Sequence, residues 1–180
     1  MHSKRVFRCE LVAPPPNKDE GGRQMRKLGT ARNCSVTYWD GTLMIQGYDR
    51  TPRGLSFGSD RIEVWSASDG AMTAGQKILT TLAAAMHGVD FPEMNEGSIP
   101  SSVRIAGFAS MRGFVDGVSN CHVTDNGDEI YVSRMVPMPN GEGFSFVKDG
   151  RIDTDKSPVS IGWAVYRALG INTTHRDSTE

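Results

Sequence analysis

The chain has 180 residues, 38% hydrophobic and 23% charged, with a formal net charge of -1. That length suits one domain with a substantial core, and the composition is that of an ordinary globular protein; no apolar run is long enough to span a bilayer as a helix. Three widely spaced cysteines, Cys9, Cys34 and Cys121, fit neither a disulfide framework nor a paired CxxC metal knuckle.

The small net charge hides a polarity. Residues 1–35 carry eight basic side chains (Lys4, Arg5, Arg8, Lys18, Arg23, Arg26, Lys27 and Arg32) against Glu10, Asp19 and Glu20, so this segment is +5 and the remainder -6. A cationic segment ahead of an acidic body can steer toward a polyanion or a sister subunit. The opening "MHSKRVFRCE" lacks the apolar stretch of a secretory signal, so a reducing intracellular compartment is the expected location.

In chain order, "RVFRCELV" (5–12) alternates apolar and polar residues and reads as a strand within an N-terminal unit spanning 1–12. "APPPNKDEGGRQMRKLG" stops regular structure, and 13–32 reads as a proline-rich basic loop. "CSVTYWDGTLMIQGY" (34–48) places Asp40-Gly41 between two β-prone runs, which predicts a tight hairpin. After the turn "TPRG", "RIEVWS" (61–66) supplies another strand.

Ile78, Leu79, Leu82, Ala83 and Met86 then form a helical stripe, predicting a helix over 70–87, with Thr73 and Gln76 at capping-box spacing, Asp69 as a competing cap and Gly88 at the end. "SVRIAGF" (102–108) reads as a short strand. "VSNCHV" and "EIYVSRMV" flank "TDNGD" as a second hairpin, and "GFSFV", "DG" and "RID" suggest a third. In "SPVSIGWAVYRALGIN", Pro158 stands at a first helical position and Gly170 beyond the end, with Ile161, Ala164, Val165, Ala168 and Leu169 on the apolar side.

The last residues, 171–180, form a polar tail. The fold class read from this is α+β: one domain, 33–170 forming its body, built of a mainly antiparallel sheet of hairpins with two helices packed on it. No repeat with a period of about 20–50 residues is evident.

Catalytic motifs are tested against their contexts. "DGAMTAGQK" resembles a phosphate loop, but Gln76 holds the lysine place, Lys77 comes one residue late, and a hairpin sheet is the wrong scaffold. "GLSFG" satisfies G-x-S-x-G, yet a strand follows Ser56 where the motif needs a helix. Cys121 and His122 are neighbours, so on a strand they face opposite ways; Cys9 or Cys34 meeting His122 across the sheet is the remaining thiol–imidazole pairing. The acidic turn Asp125, Asp128, Glu129 lacks calcium-loop spacing, and Asp153 with Asp155 reads as a polar connection.

No catalytic residue, cofactor or metal site is therefore assigned. The expected function is contact: a self-associating interaction protein with protein partners, a homo-oligomer, whose eight basic residues also offer a non-specific grip on nucleic acid or an acidic membrane surface.

The stretch "RIEVWSASDGAMTAGQKILTTLAAAMHG" and the arm bearing "APPP" (13–16) together resemble, in outline, rhabdovirus matrix proteins. The resemblance implies matrix self-assembly, virion association, and contacts with a nucleocapsid and the inner membrane surface through the arm. It departs from those proteins where Asn17 and Lys18 follow the prolines and no proline-proline-x-tyrosine is formed. Two alternatives stand beside it: a small enzyme or ligand-binding domain with a Cys/His/Asp site, and a phage or host inhibitor that masks a partner's surface.

Overall fold

The computed structural model describes residues 31–92 and 99–172. Six strands run in chain order as β1 (Arg32–Trp39), β2 (Thr42–Arg50), β3 (Ser56–Ser66), β4 (Ser119–Asp125), β5 (Ile130–Pro137) and β6 (Phe144–Thr154). They form one antiparallel sheet in the order β3-β2-β1-β4-β5-β6. The helices are α1 (Gly70–Ala83), α2 (Ser101–Ile105), α3 (Met111–Gly117) and α4 (Pro158–Leu169). The α+β class, the hairpin sheet and the two packed helices are as the sequence indicates.

Local chemistry accounts for most of these elements. Asp40 and Gly41 adopt φ of 43° and 75°, the left-handed pair of a type I′ turn, and bring Trp39 opposite Thr42. α4 begins with the Ser157 hydroxyl accepting from the Ser160 N–H at 3.2 Å and Pro158 in the first turn. It ends on Gly170 at φ 71°. Leu43, Ile45, Val36, Val123 and Val132 on the sheet meet Ile78, Leu82, Ile161, Val165 and Leu169 of α1 and α4 in the main core. Each such side chain contributes about 1.5–3 kcal/mol by leaving water.

Five expectations need correction. "SVRIAGF" forms helix α2, because Val103 is recruited, fully buried, to a second cluster with Met44, Phe114 and Val115. A run this short, with Val103, Ile105 and Phe108 as its large apolar residues, has no sustained period of its own to resist that. The third hairpin is a single strand, β6: Asp149 takes φ 60° as turn chemistry predicts, yet the chain then continues along β5 in the same direction.

α1 stops at Ala83 because residues 86–89 pair elsewhere. The Met86 N–H donates to Asp49 Oδ1 at 2.8 Å, and the Arg50 N–H to the Met86 carbonyl at 2.9 Å. The predicted capping box is also missing, since α1 starts after Asp69 with no side-chain cap bond. Arg32, finally, belongs to β1 and not to the loop 13–32. The expected strand at 5–12 and the tail from 173 onward lie outside the described residues.

The topology exposes a duplication. A constant displacement of 87 residues carries β1-β2-β3-α1 onto β4-β5-β6-α4: Cys34 to Cys121, Val36 to Val123, Leu43 to Ile130, Ile45 to Val132, Ile78 to Val165, Leu82 to Leu169. The segments "NCSVT" (33–37) and "NCHVT" (120–124) repeat, as do Pro52-x-Gly54 and Pro139-x-Gly141. The ladder between β1 and β4 obeys the same relation. Val36 faces Cys121 and Cys34 faces Val123, while Ser35 faces its own counterpart, His122, so a local twofold axis passes between those two residues.

The helices cross on the same axis. A Cβ on Gly75 would lie 1.7 Å from the Pro158 carbonyl oxygen, and one on Gly162 would lie 1.8 Å from that of Ala71. These are one contact seen twice, since Ala71 corresponds to Pro158 and Gly75 to Gly162. Gly75 thus serves close helix approach, whereas Gly70 at φ 88° makes the turn into α1.

Both edge strands carry matched irregularities: 59–61 stand opposite Gly47 on β3's side, and 147–150 opposite Arg134 on β6's. Such bulges discourage strand addition at the sheet edges.

Candidate functional site

The residues with chemistry lie on the sheet face away from α1 and α4. Across the axis runs a row Gln46, Ser35, His122, Ser133, Arg151; beside it on one side lie Met44, Thr37, Asn120, Met135 and Phe146, and on the other Asn33, Thr124, Tyr131 and Asp153. α2 and α3 roof the Met44 side. Ser35, Thr37, Asn120, His122 and Thr124 are all buried. Asn120 Nδ2 donates to Thr37 Oγ1 at 2.9 Å.

His122 sits in this strip with Tyr48 and Phe146 edge-on, at ring-centroid distances of 5.5 and 5.7 Å. Its Nε2 lies 3.3 Å from Asn33 Oδ1, to which the neutral imidazole donates. Burial lowers its pKa to about 4, because charging the ring there would cost solvation that nothing returns. An imidazole poised as a base near neutrality needs a carboxylate behind it, and here an amide fills that place.

The thiols lie on the other side. Cys34 and Cys121 are fully buried in the main core, beneath the helices. Burial raises both thiol pKa values, with the neighbouring Cys121 adding to the rise at Cys34 and a backbone hydrogen bond from Val36 opposing it at Cys121. Adjacent Cys121 and His122 face opposite ways, as alternation requires, and Cys34 shares the face of Cys121, so neither pairs with the imidazole. Cys9 lies outside the described residues.

Other candidates resolve into structure. Ser56 opens β3, with Arg50 Nε 3.5 Å from its hydroxyl. Lys77 bridges to Glu63 at 2.8 Å and stands over the Trp65 ring. Asp125 accepts from the Gly127 N–H at 2.9 Å at the hairpin tip, and Asp155 anchors the start of α4 through Ser157 and Ser160. Arg32 is exposed and opposite Asp125 on the ladder. The other seven basic residues named for partner or polyanion binding (Lys4, Arg5, Arg8, Lys18, Arg23, Arg26 and Lys27) lie outside the described residues.

Among the described residues no cluster of three potential metal ligands occurs, and no helix is long and apolar enough to cross a membrane. The sequence reading missed two things, the polar strip as a unit and the helix surface bearing Trp163, which is 42% exposed. The repeated N-C-x-V-T was the available signal for the first: alternation sends Cys and Val to one face and Asn and Thr to the other.

No protein-family model matches the chain, and no curated protein does. Solved structures do. A protein of unknown function, NMB0488, from Neisseria meningitidis is similar at a TM-score of 0.60 and 15% identity, over 78% of this chain and 94% of that one. A chain of the CdiA-CT/CdiI toxin and immunity complex from Yersinia pseudotuberculosis is similar at 0.58 and 14%, over 78% of this chain and 96% of that one. At such identities the likeness establishes a shared fold.

Proposed function

We propose that this chain is a protein-binding inhibitor of the immunity type, one that holds a partner protein and masks its working surface. The observation that carries this reading is the agreement of fold, over 96% of its length, with a chain of a toxin and immunity complex. Of the two roles in such a complex, the inhibitor's suits this molecule better. Its buried imidazole is backed by Asn33, not by a carboxylate, and its described thiols sit beneath the helices with raised pKa values. The comparisons lend no support to the matrix-type reading, and the arm on which that reading depends is outside the described residues.

Co-expression tests the proposal. Each toxin domain encoded in the genome that supplies this chain is produced with and without it. Formation of a stoichiometric complex with one of them, together with restored growth where that domain alone arrests it, is the expected result. A set in which no domain is bound or neutralised contradicts the proposal, as does turnover of a substrate by the chain itself.

A further inference from the structure

We propose that the partner docks on the outer surface of the α1–α4 pair, with Trp163 as its anchor, and that it presents there an apolar cleft with a carboxylate at the rim. This inference rests on the inhibitor reading and specifies its contact surface.

The duplication serves as an internal control. Because the two halves share one backbone plan, a residue that the fold needs in one half has a counterpart of like kind in the other. The core pairs Cys34/Cys121, Val36/Val123, Leu43/Ile130, Ile45/Val132, Ile78/Val165 and Leu82/Leu169 obey this rule; the outer surface of the helices does not. Met72 and Val159 correspond to each other and are 48% and 37% exposed, forming an apolar pair beside the crossing. Gln76 corresponds to Trp163, and Thr80 to Arg167.

In the first half, then, an exposed glutamine and a threonine suffice, and the Thr80 hydroxyl turns back to its own helix, donating to the Gln76 carbonyl at 3.0 Å. In the second half the same two positions, one turn apart, carry an exposed indole and an exposed guanidinium. Trp163 leans edge-on against the Tyr166 ring of its own helix, 6.2 Å between centroids, yet leaves 42% of its surface exposed, and the first half builds the same helix with neither a tryptophan nor an arginine at these positions.

Trp and Arg are the residue types most enriched where binding energy concentrates, surrounded by apolar contacts with few charges. That is the setting here: among the outward residues Met72, Gln76, Val159, Trp163 and Arg167, the guanidinium is the one charge, and no described carboxylate pairs with it. An uncompensated cation beside an apolar anchor complements an acidic rim, which would set orientation and association rate.

Binding is measured between the purified chain and the toxin domain that it neutralises in the test above. Trp163→Gln installs the residue that the molecule already uses at the equivalent position, so folding is retained; affinity is expected to fall at least about thirtyfold. Arg167→Glu is expected to weaken binding about tenfold, chiefly through slower association and most at low salt. In the wild-type complex the exposed tryptophan becomes shielded from acrylamide quenching, a change absent in Trp163→Gln.

If Trp163→Gln binds within about twofold of wild type, the docking surface lies elsewhere while the inhibitor reading stands. If the wild-type chain binds nothing, the inhibitor reading fails and this inference with it. Self-association of the chain alone that disappears in Trp163→Gln would make a second copy the occupant and overturn the partner assignment.

Discussion

The two βββα halves agree at the centre of the core between sheet and helices and diverge on the axis and on the helix surface. Cys34, Val36, Leu43 and Ile45 find counterparts in Cys121, Val123, Ile130 and Val132, all buried, and the two glycines at the helix crossing are interchangeable. Ser35 and His122 differ on the axis itself, and Gln76 and Trp163 differ on the helix surface. The comparison separates what the sheet-and-helix plan demands from what one half has added to it. It also locates the asymmetry: α2 and α3, which belong to the link between the halves, roof one side of the polar strip and leave its symmetric side without a described helix.

The largest effect should come from the crossing. Gly75→Ala and Gly162→Ala each force a methyl into a backbone carbonyl, and each is expected to cost at least about 3 kcal/mol in denaturant unfolding. The two losses should be similar; a harmless substitution at either site would break the symmetry argued from the carbonyl contacts.

The axis should respond to pH in one half only. His122 has a folded pKa of about 4 against an ordinary 6.5, so protons bind the unfolded chain first as pH falls. Stability is full above about pH 6.5 and declines toward pH 4, by on the order of 3 kcal/mol in total. His122→Ser, which copies Ser35, should flatten this acid limb, seen as melting temperature against pH. An unchanged limb would mean that another group governs acid unfolding.

A smaller and equal effect is expected at the paired thiols. In a Cys9→Ser background, Cys34 and Cys121 should both resist thiol reagents in the native state and react only as the protein opens. Fast labelling of one alone would show that the halves differ in the core as well. Smallest of all, Gln76→Trp and Trp163→Gln should each change stability by no more than about 1 kcal/mol, since both positions are exposed and the described ring contact of Trp163 is a single edge-on one with Tyr166.

Much of this architecture was legible in the residues, because the signals were local. Asp40-Gly41 set a hairpin, the stripe from Ile78 to Leu82 set α1, and Pro158 with Gly170 bounded α4. The failures have non-local causes. Val103 and Ile105 cannot specify a period, and Met44, distant in sequence, decides that they form a helix. Asp149-Gly150 carries hairpin chemistry, but pairing of β6 with β5 on both sides turns it into a bulge. The 87-residue repeat was too long for a solenoid-length search and too sparse in identities to stand out, although "NCSVT" and "NCHVT" were there to read. Adjacent Cys121 and His122 suggested chemistry, and only alternation across a real sheet shows them separated. The surface bearing Trp163 was missed because helical periodicity marks the buried stripe and is silent about the other side.

The central claim is that this molecule works by holding a partner protein, and hydrogen exchange on the chain with and without the toxin domain that it neutralises tests it most directly. The account predicts a saturable, one-to-one complex in which protection is gained over α1 and α4 while the polar strip around His122 is unchanged. Exchange that is identical in the presence and absence of a saturating excess of that domain would contradict it.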